Sequence, residues 1–362
     1  MPGGEIHVSL LSARTGLSLP ALRGRQGSRV IYLVLPTNNV LNTFFTTEME
    51  PVDDRSQRPL DPAHARRIGE YIVSNPGDYL LGAITYAVDV EGEFQPVEEG
   101  ADIGVLHLPL HARLRSIDGQ HRRRGLKDAI DVLAEVGEHN TALLIYVEGD
   151  LAKRKQMFSD MNNTARVVPK AINVAFDSRD PFARAVNAVV AQHPLLQGRV
   201  ESGSSRLRPG SDAFYTLGAV YDAVKRLFVG AAGRVREPGR FQEAEIVERA
   251  GEFLDLLQHA RPEFARATDA EALEKLRAES ILFSSTTLRV IAGAVHDCVW
   301  RDATGDLKVE DLVEPLAAVD FSPDARLWRN SGFVTAGRAT PNARAQEVRA
   351  ATQALAQALR DS

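Results

Sequence analysis

Cysteine is nearly absent: Cys298 stands alone among 362 residues. One thiol excludes an intrachain disulfide framework and a cysteine-held iron–sulfur cluster. Its place in the apolar run Leu288 to Trp300 marks it as a small buried side chain. A reducing, cytoplasmic compartment is the expectation. Long hydrophobic runs are missing too. No window approaches the roughly 18 apolar residues of a spanning helix, so no membrane partner is expected. The opening residues Met1-Pro2-Gly3-Gly4-Glu5 lack the basic-then-apolar pattern of a secretory signal. Positive charge is not in excess either: 43 Lys and Arg against 48 Asp and Glu leave a net charge of −5. A chain so balanced does not coat nucleic acid as a whole, and any DNA contact must come from a local basic patch. The nine histidines are scattered and no Cys-x-x-Cys spacing exists, which argues against a structural zinc. No nucleophile elbow is present to build a hydrolase triad.

What the sequence does have is apolar material, 44% of the chain, enough for the cores of two domains. The first half mixes signals. Val30 to Leu35 reads as a buried strand ending at Pro36. Asp61-Pro62 reads as an N-cap followed by proline at the first helical position, opening a helix with Ala65, Ile68 and Ile72 on one face. Asn75-Pro76-Gly77 breaks that helix. Leu80 to Val88 is a strand candidate, and Leu106-His107-Leu108 with Arg113 to Ile117 suggests a strand pair around Pro109. A helix is then expected to about Val136, striped by Leu126, Ala129, Ile130 and Leu133. Ala142 to Val147 reads as a strand. Asp150 caps a further helix that is expected to end at Asn162-Asn163. From Pro181 the apolar stripes are almost wholly helical. The expectation is an α+β fold, with a mixed domain over residues 1–177 and an all-helical domain over residues 178–362.

Between the strand ending at Ile117 and the helix after it lies Asp118-Gly119-Gln120-His121-Arg122. A strand that leaves as a helix exposes unpaired backbone N–H groups, and these donors together with the helix dipole favour an anion. Gly119 permits a positive φ or a close backbone approach. The first helical turn normally prefers acids, yet here it carries His121, Arg122, Arg123 and Arg124. Such a local conflict is expected at a functional site. Arg122 suits bidentate phosphate contact. His121 can donate to a phosphate oxygen or move a proton. Asp118 can orient a donor, hold Mg²⁺ or position a water. The bland alternative is a capped helix with Asp118 as N-cap.

These residues resemble the DGQHR-domain proteins, and within them the DndB family of DNA sulfur modification. Upstream, Arg55-Ser56-Gln57-Arg58-Pro59-Leu60, Ala65 to Ile68 with Tyr71-Ile72, and Asn75 to Thr85 are similar to the family pattern. Downstream, Phe158 to Asn162 and Ala165-Arg166 continue the resemblance, which spans roughly residues 20 to 190. The order of parts also resembles the ParB/sulfiredoxin superfamily. That resemblance implies a nucleotide-phosphate site formed by Arg58, Gly119, Gln120, His121, Arg122 and Asn162, with Asp118 and His121 as the groups that would act in catalysis. The cofactor implied is ATP or another nucleoside triphosphate with Mg²⁺. The family resemblance implies a transcriptional regulator of a phosphorothioate gene cluster that defends against phage. Its partners would be double-stranded DNA, other proteins of that system and, on a symmetric operator, a second copy of the chain.

DNA contacts are assigned to Arg123, Arg206, Arg208 and Arg236, the last three in or beside loops of the helical part. The helix Thr216 to Val229 has an apolar stripe that reads as core rather than as a recognition helix. Trp300 and Trp328 read as packing residues. Three functions stay open at this point: a DNA-binding regulator, an NTPase coupled to DNA processing, and a scaffold for other components.

Overall fold

The computed structural model describes residues 16–45, 60–164, 168–231, 233, 235, 238–301, 307–335, 337–338 and 340–361. Arg58 and Arg236 lie outside the described residues. The fold is α+β. Two compact units divide between residues 166 and 167, rather than at 177.

The first unit runs β1 (Gly16–Gln26), β2 (Arg29–Val34), α1 (Asn38–Phe44), α2 (Pro62–Ser74), β3 (Ile84–Val88), β4 (Glu93–Pro96), β5 (Ile103–Pro109), β6 (Leu114–Asp118), α3 (Gln120–Val132), a 3-10 turn (Ala134–Glu138), β7 (Leu143–Val147) and α4 (Leu151–Thr164). Its seven strands form one sheet in the order β4-β5-β1-β2-β7-β3-β6. Only β3 and β7 pair in parallel; the other neighbours are antiparallel.

Alternation along each strand sends side chains to two faces. Tyr32, Val34, Ile84, Tyr86, Val88, Leu106, Leu108, Leu143 and Ile145 pack with Leu41, Ile72, Leu126 and Ala129 of α1–α3. Ala87, Ile117 and Tyr146 face the other way, with Met157 and Phe158 of α4. The site is built on the first of these faces.

Four expectations need correction, and two strands were missed. The strands flanking Pro109 are not partners. Seven-residue β5 finds a full-length partner in Gly16–Leu22 of β1, while β6 pairs with β3 at the far edge of the sheet. β1 and β4 were not anticipated, because Pro20 and Pro96 break their strand signal. The strand expected from Leu80 begins at Ile84. The helix after Asp118 stops at Val132, and a 3-10 turn covers the remainder to Glu138. α4 runs to Thr164, one residue past the expected end at Asn162-Asn163.

α2 starts as expected. Asp61 accepts from the Ala63 and His64 N–H groups at 2.9 and 3.3 Å, and Pro62 occupies the first turn. It packs along α3 where two glycines meet. A Cβ on Gly125 would lie 2.7 Å from Ile68 Cβ and 2.9 Å from the Ala65 carbonyl oxygen, and one on Gly69 would lie 3.1 Å from the Gly125 oxygen. The start of α2 therefore sits beside the start of α3, and the two helices run in parallel.

The second unit contains α5 (Lys170–Phe176), α6 (Pro181–Gln192), the short strands β8 (Val200–Glu201) and β9 (Tyr215–Thr216), α7 (Leu217–Val229), α8 (Glu243–Ala260), α9 (Glu263–Arg266), α10 (Ala270–Glu279), α11 (Ser285–Val299), α12 (Val313–Ala318), α13 (Arg326–Asn330) and α14 (Ala345–Arg360). Among the described residues it is helical apart from the two-residue parallel pairing of β8 with β9. α11 lies at the centre, with Val290, Ile291, Ala294 and Val295 fully buried. α7 buries Leu217, Val220, Tyr221, Val224 and Leu227, which makes it a core helix. Trp328 is fully buried between Phe321 and Phe333. Cys298 is buried and its thiol donates to the Ala356 carbonyl. Among the described residues no helix is long and apolar enough to cross a membrane.

Gly125→Ala tests the helix contact. Alanine favours a helix over glycine by about 1 kcal/mol, but here its Cβ meets backbone and a β-branched stem. Overpacking of about 1–3 kcal/mol outweighs that gain. Urea unfolding is expected to show a net loss of stability; a gain would show that α2 and α3 can separate freely.

Candidate functional site

β6 is an edge strand whose last residue, Asp118, pairs with Thr85 of β3. The chain then turns through Gly119 at φ 97°, in the left-handed region. Glycine is required there twice over. Its φ strains any L-residue, and a Cβ would sit 3.0 Å from both γ-carbons of Ile84. Gly119, not Asp118, is the N-cap, so the N-cap residue itself offers α3 no capping side chain. The first turn of α3 holds no acid. Its amide donors and dipole therefore meet no carboxylate of their own turn.

Asp118 is used differently from the capping alternative. Its carboxylate forms an ion pair with Arg122 one turn on. The same guanidinium donates to the Ala83 carbonyl at 3.0 Å, tying α3 to the segment entering β3. Arg122 Nε is buried without a partner. Arg122 therefore has one edge committed to the protein and an unsatisfied donor besides. A lone buried N–H of this kind costs free energy and is one of the features that marks a site.

His121 points from the same turn toward α2. Its Nε2 accepts from the Asp61 N–H at 2.9 Å. That bond requires an unprotonated Nε2, so the ring is neutral with its proton on Nδ1. Desolvation holds the His121 pKa below the ordinary histidine value, neighbouring His64 and Arg122 add to the effect, and Asp61 and Asp118 oppose it. The His64 ring meets that of His121 edge-on at 4.9 Å between centroids. Arg67 brings Nη2 to 3.4 Å from His64 Nδ1. Sequence reasoning missed His64 and Arg67. The available signal was their i, i+3 spacing after the Asp61 cap, on the side of α2 away from Ala65 and Ile72.

The other expected residues are distributed. Gln120 is half-buried in the first turn of α3. Arg123 is also half-buried, close enough to Tyr86 to oppose the rise in that hydroxyl's pKa caused by burial. Asn162 lies in α4, the helix on the opposite face of the sheet from α2 and α3. Arg206 and Arg208 are exposed on the loop between β8 and β9, in the second unit. Among the described residues, no group of three or more His, Cys, Asp or Glu could hold a metal ion.

The family model of DndB, described as DNA-sulfur modification-associated, matches residues 19–362. The chain belongs to the DndB family. No curated protein and no solved structure matches it. The DndB match covers both units, and so includes the helical half, in which no motif could be quoted.

The neutral His121 has a pH signature. A histidine whose folded pKa is depressed takes up its proton more readily in the unfolded chain. Its contribution to stability is complete above the ordinary value of 6.5 and is lost as pH falls through the lower folded value. His296, desolvated in the second unit, acts with the same sign. His121→Asn is therefore expected to reduce, without abolishing, the loss of stability between about pH 7 and pH 5. Urea unfolding at a series of pH values checks this, and an unchanged slope would contradict a neutral, hydrogen-bonded ring.

Proposed function

We propose that this protein is a DNA-binding transcriptional regulator of a DNA phosphorothioate modification gene cluster, with a nucleotide-phosphate site at the Asp118–Arg122 turn. The observation that carries the phosphate site is the start of α3 at left-handed Gly119, with no acid and with His121 and Arg122 in its first turn. Membership of a DNA-sulfur modification family supplies the setting. The order of a helix, a strand, a glycine-led turn and a later Asn-bearing helix also supports the ParB/sulfiredoxin comparison. Gly119, Gln120, His121 and Arg122 form the phosphate cradle. Arg58, three residues before the Asp61 cap in sequence, is its further expected contributor; α4, which bears Asn162, lies on the other face of the sheet.

ATP or another nucleoside triphosphate is the ligand, and Mg²⁺ enters with it. Hydrolysis fits the geometry less well than binding. Asp118 is held by Arg122, and His121 Nε2 is occupied by the Asp61 N–H. Neither group is poised to take a proton from water. Occupancy of the site would instead shift a DNA-binding equilibrium, to the extent that the nucleotide prefers one state. DNA contacts come from exposed basic residues such as Arg206 and Arg208, with Arg236 and Arg123 as the other assigned contacts. Other proteins of the modification system are expected partners, and a dimer is expected on a symmetric operator.

Two measurements test the reading. Calorimetry with ATP and with CTP, each with Mg²⁺, is expected to detect binding that Arg122→Ala weakens by about tenfold or more. A mobility shift on the promoter of the protein's own gene cluster is expected to weaken steeply with salt. Replacing both Arg206 and Arg208 should reduce the salt slope by about one unit per lost phosphate contact. No sequence-dependent shift at any salt overturns the regulatory reading, and no nucleotide binding overturns the phosphate site.

A further inference from the structure

The face of α2 that meets the turn is cationic, and the reading above leaves it without a role. His64 projects from α2 against His121 of α3, Arg67 lies against His64, and Arg122 follows His121 in the first turn of α3. Arg67 forms no ion pair with a carboxylate among the described residues, whereas its neighbour Arg66 is paired with Glu70. Two guanidinium groups and two imidazoles are thus held together where the parallel helices begin. The glycine contact at Gly69 and Gly125 fixes that proximity.

Charge balance identifies what the cluster would accept. The groups facing His121 are Asp61 and His64 from α2, and Asp118 and Arg122 from the turn and α3; Arg67 faces Asp61. The charges of Arg67 and Arg122 balance those of Asp61 and Asp118. With His121 neutral those four charges cancel, and protonating His121 leaves the cluster cationic. A terminal phosphate, close to a dianion at neutral pH with three acceptor oxygens, draws more on the donors of His64, Arg67, His121 and Arg122 than a singly charged DNA phosphodiester does.

On the reading that the turn holds phosphate, we infer that α2 forms the second wall of the site. His64 and Arg67 contact the terminal phosphate of a nucleotide, and His121 takes up a proton as it binds. Solvent supplies the proton. When His121 Nε2 is protonated it can no longer accept from the Asp61 N–H, so the ligand takes over the bond that now joins the two helices.

The test is calorimetry of the full chain with ATP, CTP, inorganic phosphate and a short DNA duplex, in buffers of different ionisation enthalpy. Net proton uptake is expected with the three terminal-phosphate ligands. Nucleotide binding should be about tenfold weaker near pH 8.5 than near pH 6.5. His64→Ala and Arg67→Ala should each weaken it by about tenfold at the lower pH, and Arg66→Ala should leave it unchanged. All three residues are exposed, so thermal unfolding of the variants should match the parent. If the parent binds nucleotide but His64→Ala and Arg67→Ala do not weaken it, or no proton is taken up, the second wall is overturned while the phosphate site at the turn survives. If proton uptake accompanies only the duplex, the cluster reads DNA backbone and the terminal-phosphate assignment is overturned. If the parent binds none of these, the underlying phosphate reading fails with it.

Discussion

The contact between Gly69 and Gly125 governs the geometry of the first unit. Without side chains at those two positions, α2 and α3 approach closely enough for Ala65, Ile68 and Gly125 to share one surface. That contact sets the helices parallel, with their starting turns side by side. Partial positive charge from two helix ends is then concentrated over a small area. The Asp61 N–H to His121 bond and the edge-on meeting of His64 with His121 both follow from this proximity. A pair of larger residues would part the helices and dismantle those interactions together.

Within that frame the protein uses its own carboxylates sparingly. Asp61 satisfies two amide donors at the start of α2 and is held below the usual carboxylate range by them. Asp118 neutralises Arg122 rather than capping α3. One helix start is thus capped by an acid, while the other is left to a glycine and a basic first turn. This asymmetry is the feature on which the proposed phosphate site rests.

Much of the frame was legible in the sequence. Asp61-Pro62 declared the start of α2, and the Ala65, Ile68, Ile72 stripe its buried side. The α3 stripe and the apolar strand Leu143–Val147 were equally plain, as was the burial of Cys298 and Trp328. Strand partners were not legible, because pairing depends on residues far apart in sequence. Nothing local told β5 that its neighbour was β1, about 80 residues earlier, rather than β6 just beyond Pro109. The conflict of basic residues at a helix start singled out the Asp118–Arg122 turn. It could not reveal that Asp118 would pair with Arg122, nor that α2 would bring His64 and Arg67 alongside. Those facts belong to tertiary packing, for which periodicity carries no signal.

The strand order has a kinetic meaning. β7 is the last of this sheet's strands to be synthesised, yet it lies in the interior of the sheet, between β2 and β3. Before it is inserted, the sheet exists as two separate pieces: β4-β5-β1-β2 on one side and the β3-β6 pair on the other. The Asp118 turn belongs to the smaller piece, and an isolated two-stranded pair is marginal in water. Long-range and parallel pairings form slowly, because their loop-closure entropy is lost before contacts compensate. The turn will therefore be sequence-complete on the ribosome well before it is structurally complete. Until residues 143–147 close the sheet, the nascent chain carries a basic turn with no fixed geometry, and the site becomes rigid only in the step that joins the two halves.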